Sequence, residues 1–134
     1  MSRTRVLFLC AHNSARSQMA EAFLRAFAGD RVEALSAGTV ARGVHPLAMG
    51  AMAELGIDIS SQRSKTIDEL AGPFDVVVTV CDAQCPIPPR SKLKLRWKFP
   101  DPSLARGTEA ERLEAFRRVR NGIRERVRAL AGRL

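Results

Sequence analysis

Aromatic residues and long apolar runs are scarce in this chain. It has no tyrosine and one tryptophan, so it offers few of the flat side chains on which unpaired bases stack. The apolar stretch Val76–Cys81 is interrupted by Thr79 and falls far below the roughly 20 residues that span a bilayer. The apolar segment that precedes His12 has only about six residues, too few for the core of a signal peptide. We therefore expect a cytoplasmic protein that binds neither membranes nor nucleic acid.

Cysteine is also rare, and its count is odd. The 134 residues include three cysteines, Cys10, Cys81 and Cys85. In a reducing compartment an odd count argues against a framework of structural disulfides, which leaves reactive, metal-binding or buried thiols. The chain is 46% hydrophobic and 27% charged, without repeats or low-complexity tracts. Such a composition and length predict one globular domain over residues 1–134.

Positive charge exceeds negative charge, and most of the excess lies near the C-terminus. The net charge is +8, and eight arginines against two glutamates from position 112 onward give 8 − 2 = +6 of it. Apolar residues spaced by three or four in this segment predict an amphipathic helix whose arginines lie on the solvated face. A nucleic-acid patch and attraction of an anionic substrate are the alternatives. The arginines are Arg112, Arg117, Arg118, Arg120, Arg124, Arg126, Arg128 and Arg133.

Hydrophobic periodicity predicts the element order β-α-β-α-β-β-α. The strands cover 5–10, 32–36, 76–80 and 93–97, and the helices cover 17–28, 46 to about 55, and 112 to the end. A further short helix, capped by Ser64 or Thr66, ends at Leu70. This order predicts an α/β sandwich on a mostly parallel sheet, with the first strand beside the third as in flavodoxin-like folds.

Three chemically capable residues follow the predicted strands. Cys10 ends the first strand, Cys81 follows the third, and Asp101 comes shortly after the fourth. Ligands of open parallel sheets bind beyond the carboxyl ends of the strands. Neighbouring strands lie about 4.8 Å apart, so we expect Cys10 and Cys81 to come within thiol reach.

The segment after the first strand has the form C-x5-R-S, from Cys10 to Arg16 and Ser17. Backbone N–H groups of a strand-to-helix loop can surround a tetrahedral oxyanion, and Arg16 adds a planar fork for two of its oxygens. A thiol at the mouth of such a loop is expected to ionise to the thiolate. Ser17 can donate a hydrogen bond to that sulfur, and Asn13 suits a left-handed turn.

Longer motifs carry a resemblance to a known family. VLFLCAHNSARSQMAEAF, SAGT, ELGIDIS, DVVVTVCD, CPIPP and FPDPS stand in this order and cover nearly the whole chain. They resemble arsenate reductases built on the low-molecular-weight protein tyrosine phosphatase fold, of the thioredoxin-coupled type. The resemblance implies a three-layer α/β sandwich with a four-stranded parallel sheet in the order 2-1-3-4. It also implies the reduction of arsenate to arsenite, in arsenic detoxification, without a bound cofactor.

The same resemblance implies the roles of the site residues. Cys10 is the nucleophile, Asp101 the general acid, and Cys81 and Cys85 the two redox cysteines. Cys81 attacks the sulfur of Cys10, Cys85 then takes over the disulfide, and thioredoxin reduces it. The catalytic set is therefore Cys10, Arg16, Ser17, Cys81, Cys85 and Asp101, and the oxyanion-binding loop is Ala11, His12, Asn13, Ser14, Ala15 and Arg16.

Three features of the sequence depart from the family pattern. His12 replaces a loop glycine, so its backbone must avoid positive φ. The interval from Cys81 to Cys85 is about three residues shorter than in thioredoxin-coupled relatives, although such a pair can still close a disulfide. Lys65 replaces an aspartate that helps to bind potassium in some relatives. We therefore predict no metal site, with the ammonium of Lys65 pairing with Glu21 instead.

Two other functions remain open at this stage. A low-molecular-weight phosphatase would use Cys10, Arg16 and Asp101 to hydrolyse phosphotyrosine or a small phosphate ester, but it has no need of Cys81 and Cys85. A non-catalytic basic module that binds RNA or an acidic partner would leave the whole constellation unexplained. We therefore predict a monomeric arsenate reductase, with residual phosphatase activity, that binds arsenate, accepts phosphate or sulfate as analogues, and uses thioredoxin as external reductant.

Overall fold

The computed structural model of the chain describes residues 3–83 and 85–134. Over these residues the chain forms four strands, β1 (Thr4–Cys10), β2 (Val32–Gly38), β3 (Phe74–Val80) and β4 (Ser91–Trp97). They make one parallel sheet in the order β2-β1-β3-β4, which confirms the predicted fold and strand order. Apolar and basic residues alternate along β4, at one edge of the sheet.

Three α-helices and three short 3-10 helices complete the described part of the chain. The helices are α1 (Arg16–Ala28), α2 (Pro46–Ala53) and α3 (Glu109–Ala131). The 3-10 helices cover Gly29–Arg31, Ile67–Glu69 and Pro102–Leu104. Thr66 caps the second of these with a capping box, as predicted. In the described part of the chain, no helix is both long and apolar enough to cross a membrane.

The central strands β1 and β3 are buried on both faces of the sheet. Val6 and Phe8 of β1 face the helices, where α1, α2 and α3 pack. Leu7 and Leu9 point to the opposite face, into a smaller cluster. That cluster is covered by Ile67 and its neighbours. Both faces of β1 are therefore held, and the loop after Cys10 begins from a rigid support.

One part of the prediction for the C-terminal helix is wrong. Its apolar stripe is buried, but Arg120 does not lie on a solvated face: it is only 7% exposed. Its guanidinium donates to the carbonyl of Ala51 at 2.7 Å and to the carboxylate of Glu54 at 2.7 Å. Arg120 thus satisfies the open C-terminal end of α2, whose last carbonyls have no partner within the helix.

Candidate active site

The loop between β1 and α1 contains a left-handed turn at Asn13. Asn13 adopts φ 47°, and it is the one non-glycine residue with positive φ in the described ranges, so His12 avoids that region as predicted. Asparagine tolerates the left-handed conformation better than most side chains. The end of β2 lies against this loop at Gly38, where a Cβ would stand 2.7 Å from the backbone nitrogen of Asn13. Glycine at 38 therefore leaves the space that the loop occupies.

A directed chain of hydrogen bonds ends on the sulfur of Cys10. The backbone N–H of Lys65 can only donate, and it donates to Asn13 Oδ1 at 2.9 Å. The amide Nδ2 of Asn13 therefore points the other way and donates to Ser17 Oγ at 2.8 Å. The hydroxyl of Ser17 lies 2.8 Å from Cys10 Sγ. Ser17 thus has its proton free for the sulfur, an arrangement that stabilises a thiolate.

Arg16 lies at the floor of the site and is nearly enclosed. Its side chain is 5% exposed, and its Nη1 donates to the carbonyl oxygen of Phe99 at 2.9 Å. Two carboxylates approach the same guanidinium: Asp82 Oδ1 lies 3.6 Å from Nη1, and Asp101 Oδ2 lies 3.8 Å from Nη2. The predicted arginine and the predicted acid are thus brought together, and Asp82 joins them.

Asp101 caps the 3-10 helix that follows β4. Its Oδ1 accepts hydrogen bonds from the backbone N–H of Ser103 at 2.9 Å and from the Ser103 hydroxyl at 2.7 Å. Burial raises the pKa of Asp101, but these hydrogen bonds and the charges of Arg16 and His12 outweigh burial, so the net pKa lies below its ordinary value. In the anion-free site Asp101 is therefore a carboxylate at neutral pH.

The three cysteines divide into a pair and a free thiol. Cys81 and Cys85 form a disulfide, with their Cα atoms 5.8 Å apart, so the short interval does close. Cys10 is free and buried, at the end of the strand that pairs with β3. Cys81 is 0% exposed, whereas Cys85 is half-buried. A surface cavity of about 340 Å³ adjoins Cys85 and is also lined by Ile87, Lys94 and Arg96.

The predicted pairing of Lys65 with Glu21 is confirmed. Lys65 Nζ lies 3.7 Å from Glu21 Oε1, and it donates to the carbonyl oxygen of Arg63 at 2.9 Å. Glu21 also accepts hydrogen bonds from the Ser36 hydroxyl at 2.7 Å and from Arg25 at 2.8 Å. Burial lowers the pKa of Lys65, and the charge of Glu21 partly offsets this. Across residues 3–83 and 85–134, no group of three or more histidine, cysteine or acidic side chains is placed to hold a metal ion.

Three residues of this site are not assigned a role by the sequence pattern. Phe99 contributes a carbonyl oxygen, which any residue type could supply, so no side-chain signal marks it. Asp82 is an exposed aspartate directly after a cysteine, and this arrangement matches no sequence motif. Ser103 does have a signal, because a serine two residues after an aspartate is typical of a turn that the aspartate caps.

Comparison with known proteins agrees with the fold. Residues 5–134 match the family model described as low molecular weight phosphotyrosine protein phosphatase. The chain belongs to that family of enzymes. Within the family its similar relatives are arsenate reductases. One, from Halalkalibacterium halodurans, is 46% identical over 98% of this chain and 97% of its own.

Solved structures give the same result. An arsenate reductase in a phosphate-binding state superposes with a TM-score of 0.86 and 35% identity, covering 97% of this chain and 98% of that chain. A thioredoxin-dependent arsenate reductase of Corynebacterium glutamicum is 31% identical with a TM-score of 0.67, covering 98% of this chain and 64% of that one. The resemblance in sequence motifs thus extends to the whole fold.

Proposed function

We propose that this enzyme reduces arsenate to arsenite with Cys10 as nucleophile and Cys81 and Cys85 as a disulfide relay. The observation that carries the proposal is the Cys81–Cys85 disulfide at the sheet edge where the free thiol of Cys10 ends β1. A phosphatase that uses the same loop has no step that needs this pair. The buried Arg16 and the loop after Cys10 suit arsenate, which matches phosphate in shape and charge.

In the first step the thiolate of Cys10 attacks arsenic, and one arsenate oxygen leaves. The departing oxygen is a hydroxyl of dihydrogen arsenate, so one further proton, which Asp101 donates, releases it as water. The anion-free site holds Asp101 as a carboxylate, but an arriving anion raises its proton affinity, because two negative charges in one enclosed site repel each other. The proton enters with the substrate, as the conjugate acid of arsenate.

In the second step the sulfur of Cys81 attacks the sulfur of Cys10. The arsenic–sulfur bond breaks, its electron pair stays on arsenic, and arsenite leaves with a disulfide between Cys10 and Cys81. Cys85 then attacks Cys81, which releases Cys10 as a thiolate and leaves the pair seen in the structure. Two electrons have passed from the two thiols of the final pair to arsenic.

An external dithiol must return these electrons, and we propose thioredoxin in a reducing cytoplasm. The exposure of the two cysteines supports an entry point at Cys85, because Cys81 is fully buried and Cys85 is not. Attack on Cys85 releases Cys81 as a thiolate, ready for another turnover. The cavity beside Cys85 gives an approaching chain room to reach the sulfur.

Single cysteine variants test the proposal. Wild type, Cys10→Ser, Cys81→Ser and Cys85→Ser are compared in arsenate-dependent NADPH oxidation with thioredoxin and its reductase, and in hydrolysis of p-nitrophenyl phosphate. We expect all three variants to lose coupled reduction and only Cys10→Ser to lose hydrolysis. Normal reduction by both Cys81→Ser and Cys85→Ser would refute the relay. If Cys81→Ser loses coupled reduction and Cys85→Ser keeps it, the donor would be a low-molecular-weight thiol and not thioredoxin.

A further inference from the structure

The guanidinium of Arg16 faces two carboxylates, so the negative charge beside it exceeds its own positive charge. Its guanidinium faces the carboxylates of Asp82 at 3.6 Å and of Asp101 at 3.8 Å. Asp101 is enclosed, at 14% exposure, and its Oδ1 accepts two hydrogen bonds from Ser103. Asp82 is different: its side chain is 47% exposed, and it forms an ion pair with Arg16. The site for an incoming oxyanion thus already holds an exposed carboxylate that can compete for the guanidinium.

The position of Asp82 is tied to the redox state of the relay. It follows Cys81 directly, and it lies inside the five-residue ring that the Cys81–Cys85 disulfide closes. Cys81 is fully buried, so the backbone of Asp82 leaves from a fixed point at the end of β3. When the disulfide is closed, the ring restricts the backbone and keeps the carboxylate at the rim of the anion loop. When the disulfide is open, Asp82 can turn to solvent, where a carboxylate is best hydrated.

We infer that Asp82 is an affinity-determining residue that couples the oxyanion site to the relay. With the Cys81–Cys85 disulfide closed, its carboxylate competes with the oxyanion for Arg16 and weakens oxyanion binding. The oxidised enzyme therefore holds neither arsenate nor phosphate firmly while it waits for its reductant. This inference rests on the proposed function, because it takes the loop after Cys10 as an oxyanion site.

The size of the effect follows from exposure. A carboxylate that is half exposed interacts through water as well as protein, so its charge is partly screened. Removing that charge is expected to strengthen oxyanion binding about fivefold at low ionic strength, and less at high salt. A buried carboxylate would have a larger effect and a weaker salt dependence.

The probe is inorganic phosphate, and the readout is protection of Cys10 from iodoacetamide. In the oxidised protein Cys10 is the one free thiol of the three cysteines, so its alkylation is followed without interference. Asp82→Asn is compared with wild type, and Asp30→Asn serves as the matched control. Asp30 is also exposed, but it precedes β2, at the opposite edge of the sheet from the anion loop. The Cys85→Ser background supplies the form without the disulfide, with alkylation of the Cys10 peptide followed by mass spectrometry.

We expect oxidised Asp82→Asn to be half protected at about one fifth of the phosphate concentration that wild type needs. Asp30→Asn should match wild type, and Asp82→Asn should change protection much less in the Cys85→Ser background. Equal protection of oxidised wild type and Asp82→Asn would overturn the inference and leave the proposed function intact. An equal gain with and without the disulfide would overturn the coupling. If phosphate protects Cys10 in none of the forms, the oxyanion site itself, and with it the proposed function, is wrong.

Discussion

The aromatic ring of Phe99 lies directly on the backbone of Gly122 in the middle of α3. A Cβ at position 122 would stand 2.7 Å from ring atom Cε1 of Phe99, closer than real Cβ atoms come to any neighbour. The carbonyl oxygen of the same phenylalanine accepts the hydrogen bond from Arg16 Nη1. The bare backbone of α3 therefore sets the position of a residue that orients the guanidinium, although α3 itself contributes no side chain to this contact.

Replacing Gly122 by alanine should therefore weaken the oxyanion site. The added methyl group forces Phe99 outward and moves the oxygen that holds Arg16. We expect the variant to lose about 1–2 kcal/mol of unfolding free energy from overpacking. We also expect it to need more phosphate to protect Cys10 from iodoacetamide.

Gly50 in α2 provides the matched control for this change. It also lies inside a helix, but no heavy atom approaches the place of its missing Cβ within 4 Å. Gly50→Ala should gain about 0.5–1 kcal/mol, because alanine loses less backbone entropy than glycine in a helix. If Gly122→Ala is stabilised as Gly50→Ala is, and phosphate still protects Cys10 normally, Phe99 does not position Arg16.

The sequence predicted the parts of the molecule that depend on local pattern. Alternating and helical spacing gave the strands and helices to within a few residues, because burial imposes a period of two or 3.6 on the chain. Cys10 and Arg16 were found because the thiol and the guanidinium lie in one short loop segment of the sequence. Arg120 was misplaced because its partners, Ala51 and Glu54, are more than 60 residues away and only the packing of α2 against α3 brings them near. The contact of Asp82 with Arg16 escaped for the same reason.

Asn13 should act on Cys10 through Ser17. In Asn13→Gly the left-handed backbone is retained but the amide that donates to Ser17 Oγ is lost. The Ser17 hydroxyl is then free to turn from the sulfur, and the thiolate loses one hydrogen bond, worth about 1 kcal/mol. We expect alkylation of Cys10 near neutral pH to slow about fivefold.

Asn13→Ala separates this effect from backbone strain. Alanine loses the same amide and also disfavours φ 47°, so it should unfold about 1 kcal/mol more easily than Asn13→Gly. The rates of Cys10 alkylation in the two variants should nevertheless agree. A wild-type rate in Asn13→Gly would mean that the hydrogen bonds from Asn13 through Ser17 to Cys10 do not stabilise the thiolate.

Lys65 should make a measurable contribution to stability. Its ammonium lies beside the carboxylate of Glu21, and both side chains are buried. Lys65→Met keeps the length of the side chain but leaves Glu21 with one cation, Arg25. We expect a loss of about 2 kcal/mol in urea unfolding, below the 3–5 kcal/mol typical of a fully orphaned buried charge. The double variant with Glu21→Gln should recover part of the loss, and a double variant less stable than Lys65→Met would contradict the pairing.

The same lysine should make the enzyme indifferent to potassium. A resident ammonium next to Glu21, with Ser36 already donating to that carboxylate, supplies the positive charge at this position. Initial rates of coupled arsenate reduction should therefore be equal in potassium and sodium chloride at one ionic strength. A clear rate advantage in potassium that persists in Lys65→Met would show a cation site elsewhere in the protein.

His45 should make stability fall on the acid side of neutrality. Its Nδ1 accepts the backbone N–H of Leu47 at 3.0 Å at the start of α2, and its ring lies 4.7 Å from that of Phe116. Burial lowers the pKa of His45 below its ordinary 6.5, the charge of Arg112 lowers it further, and Asp101 offsets part of this. As pH falls below 6.5 the unfolded chain binds the proton first, so the stability present above 6.5 is progressively lost.

The variant His45→Asn tests this dependence without removing the cap. Asparagine also accepts the N–H at a helix start, but it does not titrate. Between pH 7.5 and 5.5 the unfolding free energy of wild type should fall more steeply than that of His45→Asn, measured by urea denaturation. His12→Asn, which removes the other histidine and keeps His45, is the control and should follow wild type. If the unfolding free energy of His45→Asn falls with pH as steeply as that of wild type, a group other than His45 takes up the proton.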